Sequence, residues 1–310
     1  MKRILIFALV AVLILSVTAC GAKKESPEKE SPGTEKTQQP EEEGPPKSEE
    51  TAIEYPIKDE VIIDDEFIKL TVSSLKINEY GDLEIDFLCE NKSDIKLSVY
   101  VKNGSVCGYG IVGLYWNQEV TAGKKINSVM TIRKDDLELA NIEVIEEMTL
   151  RVGIKDMEET YDDVMEETVS FYPTGLDAAS VVFKDREPVE GERVLVDNEQ
   201  FKYVIDSVEY DPDNGYVAHI YIHNKTSEYM WLSWEEVSVN DFMVYTTWGQ
   251  EVLPGIRLYT KAIVIEYNKV DELGIDELEN FEFVLNARIG TDYFEATDCF
   301  DERLTYEVTA

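Results

Sequence analysis

Residues 83–101 read LEIDFLCENKSDIKLSVYV. On each side of the turn at residues 91–94, apolar side chains occupy every second position, from Leu83 to Cys89 and from Ile95 to Val101. An alternation with a period of two is typical of half-buried β-strands, because successive side chains of a strand point to opposite faces. The stretch therefore predicts two amphipathic strands joined by a short turn.

The same alternation continues through residues 126–132 and 148–152. One short helix is predicted near Asp135–Ala140, with Asp135 or Asp136 as its N-cap. Roughly seven to nine short strands in one unit predict a sandwich of two antiparallel sheets of the immunoglobulin type. The Cys…Trp…Cys spacing of antibody domains is missing, so the expected fold is Ig-like and all-β.

The chain contains this unit twice. A shift of 133 positions places Asn91-Lys92-Ser93 on Asn224-Lys225-Thr226, and a shift of 132 places Trp116 on Trp248. Because the matches keep their order, we expect two copies of one fold in which Asn91 superposes on Asn224 and Trp116 on Trp248. The predicted bounds are 57–176 for Ig-like repeat 1, 177–189 for a linker, and 190–310 for Ig-like repeat 2.

The N-terminus has the three parts of a secretory signal peptide. Lys2 and Arg3 precede an apolar run at residues 4–15, and the small residues 17–19 lead into Cys20. The run is shorter than the roughly 20 residues of a membrane-spanning helix. This ending resembles a bacterial lipobox, a resemblance that implies cleavage after residue 19, a diacylglyceryl group on Cys20, and a location on the extracytoplasmic face of the membrane.

The segment at residues 20–56 is rich in Pro, Glu, Lys, Ser and Thr and almost free of large apolar residues. Such a composition buries too little surface to offset its ordering entropy, so we expect a disordered linker. A flexible chain of about 35 residues reaches roughly 30–35 Å. The segment is therefore expected to tether the folded part to the membrane.

The charge of the chain excludes some partners. The formal net charge is −35, and loss of Lys2 and Arg3 with the signal peptide takes it to −37. Nucleic-acid binding depends on phosphate neutralisation by Lys and Arg, so no nucleic-acid partner is expected. Binding to anionic lipid headgroups through a cluster of basic residues is equally disfavoured. The membrane contact should be the lipid on Cys20 alone, and two acyl chains are enough for stable anchoring.

The sequence carries no motif for catalysis or for a metal. Gly-x-Ser-x-Gly elbows and phosphate-binding glycine loops are absent from it. His219 and His223 are the only histidines, and on a strand they lie roughly 13 Å apart, too far for one ion. Residues 211–215 (DPDNG) lack the glycine and glutamate positions of an EF-hand and predict a turn. We therefore expect a non-enzymatic protein with no cofactor and no metal.

Three cysteines remain after Cys20, namely Cys89, Cys107 and Cys299. An odd number in an exported protein leaves at least one thiol unpaired. Two arrangements stay open: Cys89 and Cys107 form a disulfide, or all three serve as small buried hydrophobic residues.

Repeat 2 carries aromatic residues where repeat 1 carries charged or mixed ones. In repeat 1 the residues at 97, 99 and 101 are expected to point inward, and those between them outward. The same parity in repeat 2 makes Trp231 an outward residue and Trp234 a buried one. Clusters of exposed aromatic residues often mark contact surfaces. The candidate binding surface comprises Tyr221, His223, Tyr229 and Trp231.

Two strand arrangements are compatible with this surface. A single hairpin sets His223 opposite Tyr229 and makes all four residues one contiguous patch. The same register in repeat 1 sets Glu90 opposite Lys96 as an ion pair. An immunoglobulin-type crossing instead puts the two strands in different sheets, and then Tyr229 and Trp231 share a face without the other two. Alternatively, the face is covered by the other domain or by a terminal strand.

Overall the chain resembles the paired Ig-like domains of Gram-positive lipoproteins of unknown function, and the resemblance covers both repeats. It implies a lipid-anchored, extracytoplasmic protein that binds or scaffolds an envelope protein or glycan. Two alternatives stay open. One is a purely structural stalk lipoprotein, and the other is an envelope hydrolase with an unrecognised carboxylate site.

The first prediction concerns Cys20. The Cys20→Ala variant removes the thiol that would carry the lipid, so the protein should move from the detergent phase to the aqueous phase in a phase-partition assay. The matched control Cys299→Ala should partition like the parent protein. Wild-type partition of Cys20→Ala would contradict the lipobox interpretation.

Overall fold

The computed structural model describes residues 53–157, 163–183 and 186–308, which belong to one compact unit. The predicted signal peptide, Cys20 and the tether up to residue 52 lie outside the described residues. The two described helices have six and seven residues, and none of the described part of the chain forms a helix able to cross a bilayer.

Repeat 1 consists of short strands and one helix. Its elements are β1 (Ile53–Glu54), β2 (Glu60–Asp64), β3 (Ile68–Ile77), β4 (Leu83–Asn91), β5 (Leu97–Val106), β6 (Tyr109–Gly110), β7 (Trp116–Val120), β8 (Lys125–Ile132), α1 (Lys134–Leu139), β9 (Met148–Asp156) and β10 (Asp163–Phe171).

A 3₁₀ turn at Ala178–Ser180 leads to repeat 2, whose elements follow in the order of those from β2 onward; β1 has no counterpart among its described residues. They are β11 (Arg193–Asp197), β12 (Phe201–Asp211), β13 (Gly215–Asn224), β14 (Tyr229–Val239), β15 (Phe242–Met243), β16 (Gly249–Val252), β17 (Arg257–Ile265), α2 (Tyr267–Leu273), β18 (Asn280–Gly290) and β19 (Thr297–Glu307).

Each repeat is a sandwich of two sheets, which confirms the predicted all-β, Ig-like fold. In repeat 1, β3, β4 and β8 pair in one sheet with β1 and β2 at its edge, whereas β10, β9, β5 and β7 pair in the other. Consecutive strands that leave one sheet for the other in this order are characteristic of the immunoglobulin arrangement. Repeat 2 has the same connectivity.

Of the two strand arrangements left open by the sequence, the single hairpin around residues 91–94 is not formed. β4 and β5 lie in different sheets, as do β13 and β14, so the chain crosses the sandwich at this turn. Glu90 consequently forms its ion pair with Lys125 (2.6 Å) instead of Lys96, and Lys96 binds Glu119. Alternation predicts strands but not their partners, and here the immunoglobulin-type crossing is the one observed.

The two repeats agree in register as well as in element order. The β-bulge after Val72 in β3 recurs after Ile205 in β12, 133 positions later. The bulge after Val61 in β2 likewise recurs after Val194 in β11. A bulge inserts one unpaired residue into a ladder, so the recurrence shows that the pairing pattern itself was duplicated.

A buried asparagine ties the sheets together at each crossing. The Asn91 Nδ2 donates to the carbonyls of Ile95 and Val120, both at 2.8 Å. Asn224 Nδ2 donates in the same way to Glu228 (2.8 Å) and Val252 (3.1 Å). These two residues therefore make equivalent contacts, as the repeat predicted.

Trp116 and Trp248 also occupy equivalent buried places. Trp116 pairs with Val101 across β7 and β5, and the carbonyl of Trp248 accepts a hydrogen bond from the amide of Trp234, 133 positions after Val101. The ring of Trp116 lies 5.0 Å from that of Phe87, and the ring of Trp248 lies 5.1 Å from that of Trp234. Each tryptophan fills the core of its own sandwich.

The second sheet of repeat 1 continues directly into the first sheet of repeat 2. β6 pairs in parallel with β17, in the order β10-β9-β5-β6-β17-β13-β12-β11. Tyr109 lies opposite Arg257 and Gly110 opposite Leu258, and the Arg257 amide donates to the Gly108 carbonyl at 3.1 Å. We call this pairing and its covering side chains the repeat joint.

Three tyrosines seal the repeat joint. The rings of Tyr109 and Tyr259 stack with centroids 5.8 Å apart, and Tyr221 lies 5.1 Å from Tyr259. Burial raises the pKa of Tyr221 and of Tyr259 to about 12. Tyr221 lies outside the core cluster of its own sandwich, as the strand parity predicted. It is only 3% exposed because Tyr109 of the other repeat packs against it and Arg186 stacks on its ring, so the covered face is the alternative observed for Tyr221.

Two described residues of the predicted linker at 177–189, Phe183 and Arg186, pack into this joint. A Cβ on Gly108 would lie 2.8 Å from the ring of Phe183, so the linker ring rests directly on the turn before β6. The Arg186 guanidinium lies 4.4 Å from the centroid of the Tyr221 ring and 3.1 Å from Asp206. A charged segment can thus pack between the repeats, because the guanidinium of Arg186 stacks on an aromatic ring and pairs with a carboxylate.

Other local expectations are met or corrected at single residues. β1 begins at Ile53, inside the predicted tether, because its backbone pairs with β3. The first amide of α1 binds the Asp82 carboxylate (2.9 Å), and neither Asp135 nor Asp136 serves as cap. The Asp211 carboxylate accepts hydrogen bonds from two amides of its own turn, as expected of a turn.

The described cysteines, Cys89, Cys107 and Cys299, are unpaired.

The second prediction tests the crossing. Asn224→Ala leaves the carbonyls of Glu228 and Val252 without their buried donor, so the free energy of unfolding should fall by about 2 kcal/mol. Asn91→Ala should have a similar effect, measured by urea denaturation. The exposed control Asn127→Ala should change stability by less than about 0.5 kcal/mol. Two neutral asparagine variants would show that the crossings do not depend on these side chains.

Candidate functional site

The structure separates the four residues of the candidate binding surface. Tyr221 and His223 belong to β13, in the sheet shared by both repeats, whereas Tyr229 and Trp231 belong to β14. His223 lies between Lys202 and Arg257 of its neighbouring strands. The four residues form no contiguous patch, and the arrangement with His223 opposite Tyr229 is not the one of the two alternatives that the structure adopts.

Tyr229 is engaged in a second contact between the repeats. The Arg151 guanidinium from β9 lies 4.1 Å from the centroid of its ring, and the Tyr229 hydroxyl lies 3.4 Å from the Thr168 hydroxyl. Arg151 is itself nearly buried and pairs with Glu166 and with Glu251 (2.6 Å) of repeat 2. Tyr229 therefore helps to fix the orientation of the repeats.

Trp231 is the remaining residue, and it lines a groove of about 560 Å³. It is half-buried, whereas the other three tryptophans of the chain are buried. The groove runs across β16, β14 and β18 and is bounded by the loop after β18. Its polar lining comprises Ser233, Glu235, Gln250, Glu251, Asn286, Arg288 and Asp298. We call this feature the Trp231 groove.

Strand parity builds the floor of the Trp231 groove. Along β14, Met230, Leu232 and Trp234 are buried, and the residues between them face outward. Trp231 lies opposite Arg288 on β18 and opposite Glu251 on β16. Directly opposed residues share a face. The outward side chains of β14, β16 and β18 therefore lie side by side on the floor of the groove. The parity expected for β14 is thus the parity observed.

Arg288 holds the loop that bounds the groove. Its Nε donates to Asp298 (2.9 Å), its Nη1 to the Tyr293 carbonyl (3.1 Å) and its Nη2 to the Ala296 carbonyl (2.7 Å). A guanidinium whose three nitrogens all donate hydrogen bonds holds the backbone that it binds in one conformation. Arg288 is therefore a positioning residue for Tyr293.

Tyr293 places a second aromatic ring in the groove. Its ring lies 5.9 Å from that of Trp231 at 81°, an edge-to-face contact. The neighbouring Phe294 is 89% exposed. Neither residue was among the predicted site residues. The signal was an aromatic pair directly after the polar turn at residues 291–292, but only the fold shows that this loop meets β14.

The groove is acidic despite its arginine. Glu235, Glu251 and Asp298 contribute carboxylates. Arg288 and Arg151 are already engaged by carboxylates, Arg288 by Asp298 and Arg151 by Glu251. Like charges disfavour an anionic ligand at close range. The geometry suits a ligand with an apolar face for Trp231 and with hydroxyl or amine groups for the amides and carboxylates around it.

No metal centre is found in the part of the chain that the structure describes, where no group of three or more His, Cys, Asp or Glu side chains converges. His219 instead lies 2.7 Å from Glu209 across neighbouring strands.

Comparison with known proteins adds little. No protein-family model matches the chain, and no curated protein matches it in sequence. A red sea bream transglutaminase structure is 7% identical over 67% of this chain and 27% of its own, with a TM-score of 0.18. A GH2 β-galacturonidase from Eisenbergiella tayi, bound to glycerol, is 10% identical over 82% of this chain and 42% of its own, with a TM-score of 0.17.

A deletion mutant of Bacillus subtilis oxalate decarboxylase is 8% identical over 82% of this chain and 75% of its own, with a TM-score of 0.11. This chain spans about a quarter of the length of the transglutaminase and less than half of that of the galacturonidase. At these TM-scores none of the three likenesses carries an argument about this protein.

Proposed function

We propose that this protein is a non-enzymatic binding protein of the cell envelope, anchored through a lipid on Cys20 and binding a saccharide in the Trp231 groove. The observation that carries the proposal is the half-buried Trp231 ring with Tyr293 edge-on to it at 5.9 Å. Around this pair lie the amides of Gln250 and Asn286. Ligand sites commonly combine an aromatic surface with a few placed polar groups.

A saccharide fits this combination because its ring has two chemically different parts. The C–H groups of one face are apolar and match an aromatic ring, whereas the hydroxyls at its rim need hydrogen-bond partners. Side-chain amides donate and accept, and carboxylates accept. The volume of about 560 Å³ lies within the range of roughly 300–1,000 Å³ of small-molecule sites.

The charge of the groove narrows the saccharide class. Glu235, Glu251 and Asp298 disfavour acidic sugars, and the chain as a whole is strongly anionic. A neutral or amine-bearing saccharide meets no such repulsion, and an amine gains a charge-assisted hydrogen bond. The proposed ligand is therefore a neutral or cationic sugar chain of the envelope.

Anchoring fits the same role. The resemblance of the N-terminus to a lipobox supports a lipid at Cys20, and the composition of the following residues supports a tether. A binding protein held on such a tether can search the envelope within the reach of the tether without leaving the membrane.

The envelope hydrolase is the alternative that a specific observation favours, since three carboxylates line the Trp231 groove. A glycosidase needs one carboxyl group that is free to donate a proton and a second that acts as nucleophile or base. Two of these carboxylates are paired with arginines, Glu251 with Arg151 and Asp298 with Arg288. This leaves Glu235 as the one groove carboxylate without an arginine partner in the described contacts, and binding is the better-supported function.

The third prediction tests the groove. Three tetrasaccharides serve as probes: neutral β-linked N-acetylglucosamine, its deacetylated cationic form, and anionic oligogalacturonate. Because Trp231 is the one tryptophan that is not buried, binding should protect the protein's fluorescence from acrylamide quenching. We expect protection by the neutral or cationic probe and not by the anionic one. Trp231→Ala removes the reporting ring, so its loss of affinity, about tenfold or more, is measured by isothermal titration calorimetry.

Tyr115→Ala is the matched control, because Tyr115 is a highly exposed aromatic residue of repeat 1 outside the groove. It should bind like the parent protein. Absence of protection by all three probes would overturn the saccharide proposal. New reducing ends in the incubated sample would instead support the hydrolase.

A further inference from the structure

We propose that copies of this chain associate head to tail, with β15 of one molecule pairing with β8 of the next. The contact would repeat between molecules the joint that holds the two repeats together within one molecule. The proposal rests on the duplication of the fold and is independent of the Trp231 groove.

The duplication supplies both halves of a second joint. Within the molecule, β6 of repeat 1 pairs with β17 of repeat 2. The counterpart of β6 in repeat 2 is β15, 133 positions later, and the counterpart of β17 in repeat 1 is β8, 132 positions earlier. The tail edge, β15, and the head edge, β8, therefore have the same places in their sandwiches as the two strands of the repeat joint.

The turn that presents the tail edge has the same backbone conformation as the turn that presents β6. Cys107 and Gly108 precede β6 with φ values of 50° and 77°, and Asn240 and Asp241 precede β15 with 45° and 68°. Positive φ is uncommon outside glycine, so four such values at paired positions reflect one shared turn. β15 is consequently offered to solvent in the manner in which β6 is offered to β17.

Both edges lack a further strand among the described residues. β8 pairs with β4 on one side, and β15 pairs with β14 on one side. Exposed apolar side chains lie at both: Phe242 is 47% and Met243 67% exposed, and Val129 is 49% exposed. An open strand edge is a template for pairing with another chain.

The charges of the two edges are complementary. Lys124 and Lys125 lie at the start of the head edge, and residues 123–132 contain no acidic residue. Asp241 directly precedes the tail edge, and residues 237–248 contain no basic residue. In a chain of net charge −35 this basic stretch is unusual, and opposite patches steer association in one orientation.

The repeat joint also prescribes the register of the outer contact. By equivalence with Arg257 and Tyr109, Lys125 faces Phe242, and its amide donates to the carbonyl of Asp241. The Arg257 guanidinium lies 5.9 Å from the Tyr109 ring, and an ammonium facing the Phe242 ring retains this kind of attraction. The Lys125 side chain is 61% exposed, although its ammonium also pairs with Glu90 at 2.6 Å within the molecule.

The outer contact should be weaker than the repeat joint. A Cβ at Gly110 would lie 3.0 Å from the Leu258 side chain, and Met243 stands at the position that corresponds to Gly110. The strands must then lie slightly further apart, and no covalent linker raises the local concentration as it does within the chain. We expect reversible association that confinement on a membrane would promote.

The association should produce chains or rings of molecules. A contact between two different surfaces is heterologous and forms rings or chains, in contrast to a symmetric dimer. Blocking either edge should then stop growth, and two molecules blocked at opposite edges should still form one joint with each other.

Sedimentation equilibrium tests this with the chain from residue 20, carrying Cys20→Ser so that no lipid is present. The weight-average mass should rise above that of one chain between roughly 10 µM and 1 mM, the concentration range in which a weak association becomes populated. The tail-blocked variant is Phe242→Glu with Met243→Glu, and the head-blocked variant is Lys124→Glu with Lys125→Glu. Each alone should stay monomeric, and an equimolar mixture should form dimers and nothing larger.

Phe294→Glu is the matched control, since Phe294 is an apolar residue that is even more exposed (89%) but lies outside both edges. It should associate like the parent chain, and near-ultraviolet circular dichroism shows that each variant is folded. A parent chain that is monomeric throughout would overturn the proposal. So would self-association of either blocked variant, or a mixture that stays monomeric.

Discussion

The pairing of β6 with β17 is the constraint on which the rest of the structure depends. Only two residues of each strand take part, so the ladder alone is weak. The stacked rings of Tyr109 and Tyr259, with Tyr221 beside them, bury the contact. Because this joint merges two sheets into one, it sets how repeat 2 lies against repeat 1. It thereby brings Arg151 within reach of Glu251 and Tyr229.

Duplication gave the protein one backbone with two sets of outward side chains. The position of Leu88 in repeat 1 is that of Tyr221 in repeat 2, and the position of Ser98 is that of Trp231. The inward residues retain the sandwich, since the buried asparagines make equivalent hydrogen bonds in both halves and Trp116 and Trp248 are buried at equivalent positions. The repeats therefore differ mainly in the side chains that point away from the core. On one face these side chains form the repeat joint, and on another they form the Trp231 groove.

The Trp231 groove rests on rigid elements. Three neighbouring strands present its floor, and Arg288 fixes the one loop that bounds it through three hydrogen bonds. A site held in this way loses little conformational entropy when a ligand binds. The arginines that lie near the groove are used in holding the protein together, which leaves its carboxylates and amides to determine what can enter.

The sequence by itself determined the all-β class, the duplication and its register, and which residues of β14 point inward. These follow from a period of two and from a fixed shift, which neighbouring positions and one comparison reveal. Only the tertiary structure decided which faces are covered. Tyr109 and Arg257 meet although 148 positions separate them, and Tyr293 reaches Trp231 from a loop that no local pattern relates to β14. Periodicity predicts the face of the strand on which a side chain lies. The residues that it contacts on that face depend on which distant strands pair.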